Sequence, residues 1–451
     1  MKRKRLTILI WCLVLVGFSC TQHSKEYKTK AADPEFLHRS VKQLSDVIVY
    51  DIFSPPVASR VYAYPSIAAF EVMINEYPEY RSLAGQLHGL SEVPPPDPNQ
   101  EYCFPLAGVH AFLKCGKQLI FSEEKIEVFQ KKIYQEFKEL GVPSAVFERS
   151  IAYGNKVSDH IMAWADKDNY KQTRTFPKYT VTDEKFRWQP TPPAYMEAIE
   201  PHWNKIRTFV IDSAQQFIPA PPTLTSLEKG SDFYNEIIEV YETGKNLTDE
   251  QAEIASFWDC NPYVMHTKGH LMFATKKITP GGHWMGITTV ACRTSTADMI
   301  ISAEAYALVT IALVDGFISS WDEKFRSNLI RPETLINKYI DEDWVPLLQT
   351  PPFPEYPSAH SVISRAAAIA LTDLFGEHFY FEDTVELEYG LPARTFDSFV
   401  EASDEAAISR LYGGIHYMPA CQLGVNQGKK LGTYLIEKIS TKNKNISAGI
   451  N

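Results

Sequence analysis

Positive charge is in short supply in this chain of 451 residues, whose formal net charge is −10 at pH 7. That balance argues against nucleic acid or an anionic membrane as a partner. Disulfide material is scarce as well. Of seven cysteines, Cys12 and Cys20 fall near the N-terminus, and Cys103, Cys115, Cys260, Cys292 and Cys421 form an odd, widely spaced set. Such a set is no disulfide framework. A Cys103–Cys115 bridge stays open, with buried free thiols the favoured alternative. No internal repeat occurs at solenoid periods, and no stretch alternates convincingly in the manner of a strand. An uninterrupted membrane span is also missing. The longest apolar run, Ala303 to Trp321, is broken by Glu304 and Asp315, which points to a buried core helix.

The N-terminus is set apart. Lys2, Arg3, Lys4 and Arg5 precede an apolar run from Leu6 to Phe18, followed by Ser19 and Cys20. Basic, apolar and small-residue regions in that order read as an export signal of the bacterial lipoprotein type, with Cys20 carrying the lipid. Gly17 and Phe18 are unusual before a lipidated cysteine, which keeps simple secretion and a retained anchor open. The expected location is the periplasm or the outer membrane. Removal of residues 1–19 takes the net charge from −10 to about −14. Residues 21–36 are polar and read as a tether.

From Leu37 onward the apolar spacing is helical, with helices expected at about 105–118, 123–140 and 144–166. Residues 168–225 interrupt this rhythm with proline clusters at Trp188-Gln189-Pro190-Thr191-Pro192-Pro193 and Ala220-Pro221-Pro222. A loop of this length either rims an active site or joins two helical bundles. The expected fold is all-α, with an N-terminal helical region at 37–226 and a second, catalytic bundle at 227–451.

Three stretches of the second half carry chemistry. In Trp321-Asp322-Glu323-Lys324-Phe325-Arg326-Ser327-Asn328-Leu329-Ile330-Arg331-Pro332, Lys324 and Arg331 are seven residues apart. On one continuous helix they would share a face, stopped by Pro332. Taken alone, this is a solvated basic face. In Pro357-Ser358-Ala359-His360-Ser361 a hydroxyl, the free N–H groups of a helix N-terminus and an imidazole would meet on one anion. Ser409-Arg410-Leu411-Tyr412-Gly413-Gly414-Ile415-His416 adds a third guanidinium and a second imidazole.

In that order and spacing the three stretches resemble the signature of the superfamily that joins vanadium haloperoxidases and type 2 phosphatidic-acid phosphatases. Trp321, three residues before Lys324, and Phe353, five before Ser358, resemble the vanadium-dependent haloperoxidase branch, and within it the iodoperoxidases of marine flavobacteria. The resemblance implies a vanadate cofactor held by Lys324, Arg331, Ser358, Ala359, Arg410 and His416. His416 would be the vanadium ligand, His360 the acid–base residue and Lys324 the group that polarises hydrogen peroxide. Trp321, Phe353 and Tyr263 would line the halide pocket, with iodide the favoured halide. Two departures stand out. Ala359 replaces a common glycine, and Tyr417 follows His416 where many members have aspartate, so the group that orients His416 is unassigned. Asp315 and Asp322 are candidates for other outer-sphere contacts, with a helix-surface role the default for both.

Other constellations are weaker. His266 and His270 are spaced for zinc on a helix, but Gly269 weakens the helix and the protease glutamate is missing. His283, after Gly281-Gly282, is a candidate to line the pocket, with a capping or packing role the default. Two further functions remain beside the haloperoxidase. One is an acid or lipid phosphatase with a phosphohistidine intermediate, and the other is a surface-anchored binding lipoprotein with a dead site.

Overall fold

The computed structural model describes residues 26–268 and 271–443, so the leader at 1–20 and His270 lie outside the described residues. Helices dominate, as the apolar spacing predicts. The first half supplies α1 (Glu35–Tyr50), α2 (Pro55–Met73), α3 (Phe104–Lys117), α4 (Glu123–Glu139) and α5 (Ser144–Ala165). The second half supplies α6 (Asp232–Lys245), α7 (Asp249–Phe257), α8 (Pro280–Thr294), α9 (Met299–Ser327), α10 (Pro332–Tyr339), α11 (Ala359–Phe375), α12 (Phe399–Tyr412) and α13 (Met418–Lys438).

The tether expected at 21–36 is not a tether over its described part. Residues 26–31 are helical, Tyr27 and Ala31 are buried, and the Tyr27 hydroxyl donates to Glu101 Oε1 at 3.0 Å. Two anchoring apolar side chains outweigh the polar composition around them. Two short antiparallel hairpins also escaped the period-2 test: β1 (Val264–Lys268) with β2 (Leu271–Thr275), and β3 (Phe381–Asp383) with β4 (Arg394–Phe396). Strands of three to five residues are too short to show alternation. The backbone at His266 is strand, which removes the helical i, i+4 geometry that zinc would need there.

Helix α9 is the axis of the molecule. It is long and apolar enough to cross a membrane, yet 94% of its most apolar window is buried inside the fold. It packs against α2 on one side and α11 on the other. The largest apolar cluster runs through helices of both halves, from Leu37 and Val61 to Leu313, Ala367 and Leu431. Asp315, inside this axis, is fully buried rather than superficial. Its carboxyl accepts the backbone N–H groups of Phe209, Val210 and Ile211 at 2.7, 2.8 and 3.0 Å. Asp322 is likewise buried and accepts from Asn204 Nδ2 at 2.9 Å. Both aspartates bind the irregular segment to the axis, because loop N–H groups brought against a helix need acceptors.

Helix α13 lies flush against α11 through three glycines one turn apart. A methyl group at Gly424 would stand 2.7 Å from the Ser358 carbonyl oxygen, one at Gly428 would strike the Val362 carbonyl, and one at Gly432 would crowd Ile369 and Ala366. Side chains there would push the two helices apart.

Candidate active site

The helix that carries Lys324 ends before Arg331. Asn328 adopts a left-handed conformation (φ 50°) and its N–H returns to the Lys324 carbonyl, closing α9 at Ser327. Arg331 is instead the N-cap residue of α10, with Pro332 at its first position. The two cations are thus not on one helical face. They converge because the chain turns between them, and asparagine tolerates that turn.

The segment Pro351-Pro352-Phe353-Pro354-Glu355-Tyr356-Pro357 holds both of them. Proline contributes a carbonyl and no N–H, so a run with four prolines presents acceptors to donors from elsewhere. Lys324 Nζ donates to the carbonyls of Pro354, Glu355 and Pro357 at 3.0, 3.0 and 2.6 Å. Arg331 Nε donates to the Phe353 carbonyl at 2.9 Å. Both side chains are fully buried. Burial and the Arg331 charge push the Lys324 pKa well down, and burial brings Arg331 to about 10. Three carbonyls around one nitrogen require three N–H donors and so retain the ammonium form of Lys324. Each cation lies 5.1 Å from the Phe353 ring centroid.

His416 is oriented by Glu355. Arg331 Nη1 approaches His416 Nε2 at 3.1 Å, and a guanidinium can only donate, so Nε2 carries the lone pair. The ring proton is therefore on Nδ1, which lies 2.7 Å from Glu355 Oε1. The same oxygen accepts the Tyr417 N–H at 3.1 Å. Burial raises the Glu355 pKa to about 7 against the pull of Arg331 and Lys324. Burial and the surrounding cations push the His416 pKa well down, which agrees with a neutral ring. Sequence reasoning looked for this partner after His416, whereas it lies 61 positions earlier. A lone carboxylate inside a proline-rich apolar run was the available signal.

Ser358 caps α11. Its Oγ accepts from the Ser361 N–H at 3.3 Å and from Ser361 Oγ at 2.8 Å, which leaves its own proton to give. The N–H groups of Ala359 and His360 open the helix, and the helix itself offers them no acceptor. Arg410 Nε donates to Ser409 Oγ at 2.9 Å and Nη2 to the Trp258 carbonyl at 2.6 Å. Trp258 was not singled out in the sequence. Its ring also stands edge-on to His360 at 6.1 Å between centroids.

One cavity gathers Trp321, Phe353, Tyr263, Ala359, His360, Arg410 and His416 in its wall. Lys324, Arg331 and Ser358 stand outside that wall. The irregular segment supports it from behind: Trp321 Nε1 donates to the Ile199 carbonyl at 3.2 Å, and the Ile199 N–H donates to the Pro352 carbonyl at 3.1 Å. Arg331 Nη2 and His360 Nε2 are buried with no hydrogen-bond partner among the described residues. Leaving such a group unpaired costs about 1–3 kcal/mol. The orphaned Arg331 nitrogen, a free hydroxyl proton, helix N–H groups and the charges of Lys324, Arg331 and Arg410 suit a tetrahedral oxyanion, with His360 Nε2 left to exchange a proton. All five cysteines at 103, 115, 260, 292 and 421 are buried and free.

Comparison with known proteins bears on this arrangement. A family model described as the VCPO second helical-bundle domain matches residues 304–445. A solved structure described as the first bacterial vanadium-dependent iodoperoxidase is 51% identical, with a TM-score of 0.87. The match covers 92% of this chain and 98% of that one. The holo form of a bacterial vanadium-dependent chloroperoxidase matches with a TM-score of 0.64 at 13% identity, over 86% of this chain and 93% of that one. Its apo form gives 0.64 at 14%, over 85% and 94%. At such identities the likeness is one of fold. A search of curated protein sequences finds no match.

Proposed function

The chain belongs to the vanadium-dependent haloperoxidases, and from that premise we propose that it is an exported enzyme that oxidises iodide with hydrogen peroxide. The observation that carries the reading is the 51% identity over 92% of the chain to a protein described as an iodoperoxidase. Vanadate, when bound, supplies Lewis-acid activation of peroxide toward halide. The phosphatase alternative is not favoured, because Trp321 and Phe353 wall the cavity with aromatic rings where the phosphatase pattern lacks them.

The roles follow from what each side chain has left to offer. His416 Nε2 carries the lone pair that would bind vanadium in place of its contact with Arg331 Nη1, and Glu355 fixes its tautomer. Arg331, Arg410 and Lys324 balance the charge of the anion. Ser358 Oγ and the Ala359 N–H add neutral donors, and the Ala359 methyl group leaves that N–H in place. His360 Nε2, in the cavity wall, would take and return the proton of peroxide. Lys324 has committed its three N–H groups to carbonyls, so it acts on peroxide through its field unless one of those bonds is exchanged.

Triiodide formation tests both cofactor and halide. Protein from vanadate-free medium is expected to be inactive, to recover on adding orthovanadate, and to be inhibited by excess phosphate. Bromide in parallel assays is expected to give little or no product. Full activity after rigorous removal of vanadium would overturn the cofactor assignment, and equal kcat/KM for the two halides the selectivity.

Glu355→Gln tests the orientation of His416. Loss of an outer-sphere carboxylate costs about 10–100-fold in metal affinity. The vanadate Kd is expected to rise by that factor, with the change in Tm too small to explain it. An unchanged Kd would leave Glu355 with a purely structural role. Export rests on the leader alone. Cys20→Ala is expected to release the protein from the membrane fraction, and unchanged partition would remove the lipid anchor.

A further inference from the structure

Behind the cavity lies a second cluster that the oxyanion site does not use. His283 enters from the first turn of α8, Cys260 from the loop after α7, and Glu386 from the helical turn that follows β3. All three are buried. Cys260 Sγ is 3.5 Å from His283 Nδ1, and Glu386 Oε1 is 3.1 Å from the same nitrogen. The three donor atoms lie within 4.8 Å of one another. We propose that Cys260 Sγ, His283 Nδ1 and Glu386 Oε1 form a binding site for a divalent transition metal, zinc by the chemistry of its donors.

Spacing, an orphaned oxygen and the outer sphere point the same way. In a tetrahedral zinc site with Zn–S about 2.3 Å and Zn–N and Zn–O about 2.0–2.1 Å, neighbouring ligand atoms are roughly 3.3–3.6 Å apart. The Cys260–His283 separation of 3.5 Å falls in that range, the His283–Glu386 separation of 3.1 Å is slightly below it, and the third lies within 4.8 Å. Glu386 Oε1 is buried and has no hydrogen-bond partner among the described residues, although Nδ1 is so near. It lies off the direction an Nδ1 proton would take, as a second ligand of a shared ion does. His283 Nε2 meets Asp383 Oδ2 at 2.8 Å. A metal-binding histidine usually gives its other N–H to a carboxylate in this way. Mixed sulfur, nitrogen and oxygen donors suit zinc and exclude the all-oxygen preference of magnesium and calcium. Cys260 is also part of the cavity wall, which gives the ion a way in.

The ion would act as a positioning device. The Trp258 ring stacks on His283 with centroids 4.6 Å apart and planes at 20°, and the Trp258 carbonyl carries Arg410. A metal that immobilises His283 therefore steadies the shelf on which the third cation of the oxyanion site rests.

The test uses full-length protein, stripped with chelator and titrated with zinc ions alone, without vanadate or halide. About one zinc per chain is expected to bind, and Tm is expected to rise with zinc concentration. Cys260→Ser and Glu386→Gln should each lower the zinc retained after dialysis, and Asp383→Asn should weaken affinity about 10–100-fold. If a variant fails to fold, the wild-type titration still decides. No bound zinc together with an unchanged Tm would overturn the proposal, leaving a protonated His283 between two carboxylates. Zinc retained undiminished in Cys260→Ser and Glu386→Gln would also overturn it, since the ion would then sit elsewhere. None of these readouts depends on peroxidase activity, so their failure is separate from any failure of the iodide reading.

Discussion

His416→Ala is expected to purify without vanadium and without peroxidase activity. The substitution removes the side-chain lone pair that Glu355 and Arg331 together fix on His416 Nε2. What remains is a cradle of cations and N–H groups, able to attract vanadate as a counter-ion but not to bond it. An outer-sphere carboxylate is worth about 10–100-fold in metal affinity, so the ligand itself should cost more than that. Glu355 would keep the Tyr417 N–H and lose the imidazole, so some loss of Tm is expected as well. Vanadium per chain, measured on folded protein, is the deciding quantity. An unchanged vanadium content would mean that another group is the ligand.

His360→Ala is expected to separate binding from turnover. Its Nε2 has no partner among the described residues and faces the cavity, and burial with the nearby Arg410 and His283 pushes its pKa well down. A neutral imidazole can accept a proton from an incoming peroxide. Positioned general acid–base catalysis contributes about 10²–10⁴-fold, and a kcat loss in that range is expected. Vanadium content should fall far less than in His416→Ala, because the Lys324, Arg331, Arg410 and Ser358 donors are untouched. Equal vanadium loss in the two variants would assign His360 to binding instead.

The candidate oxyanion residues stand out in the sequence because they sit in short motifs whose spacing is local. Ser358, Ala359 and His360 needed only a helix start, and Pro357-Ser358 announces one. Lys324 and Arg331 were recognised for a partly mistaken reason. One helical face was expected, whereas Asn328 ends the helix and the chain brings Arg331 back from a second one. Glu355 was missed because nothing near His416 in sequence points to it. The contact is made by a proline-rich strip folding across the site. Asp315 and Asp322 read as surface positions because acids on a helix usually are, and only the irregular segment lying over α9 buries them. The Cys260–His283–Glu386 cluster was invisible for the same reason, being drawn from three separate elements.

The glycine seam between α13 and α11 has a consequence for how the enzyme is made. Gly424, Gly428 and Gly432 follow His416 in the sequence, so they leave the ribosome after every residue proposed to hold the anion. Until they arrive, the helix opened by Ser358 lacks the neighbour it packs against most closely, and the Ser358 N–H lacks the Ala420 carbonyl that receives it at 3.1 Å. A nascent chain can therefore hold Lys324, Arg331, Arg410 and His416 and still have no seat for an oxyanion. Completion of the proposed oxyanion seat therefore depends on α13 being paired with α11, the helix it packs against most closely.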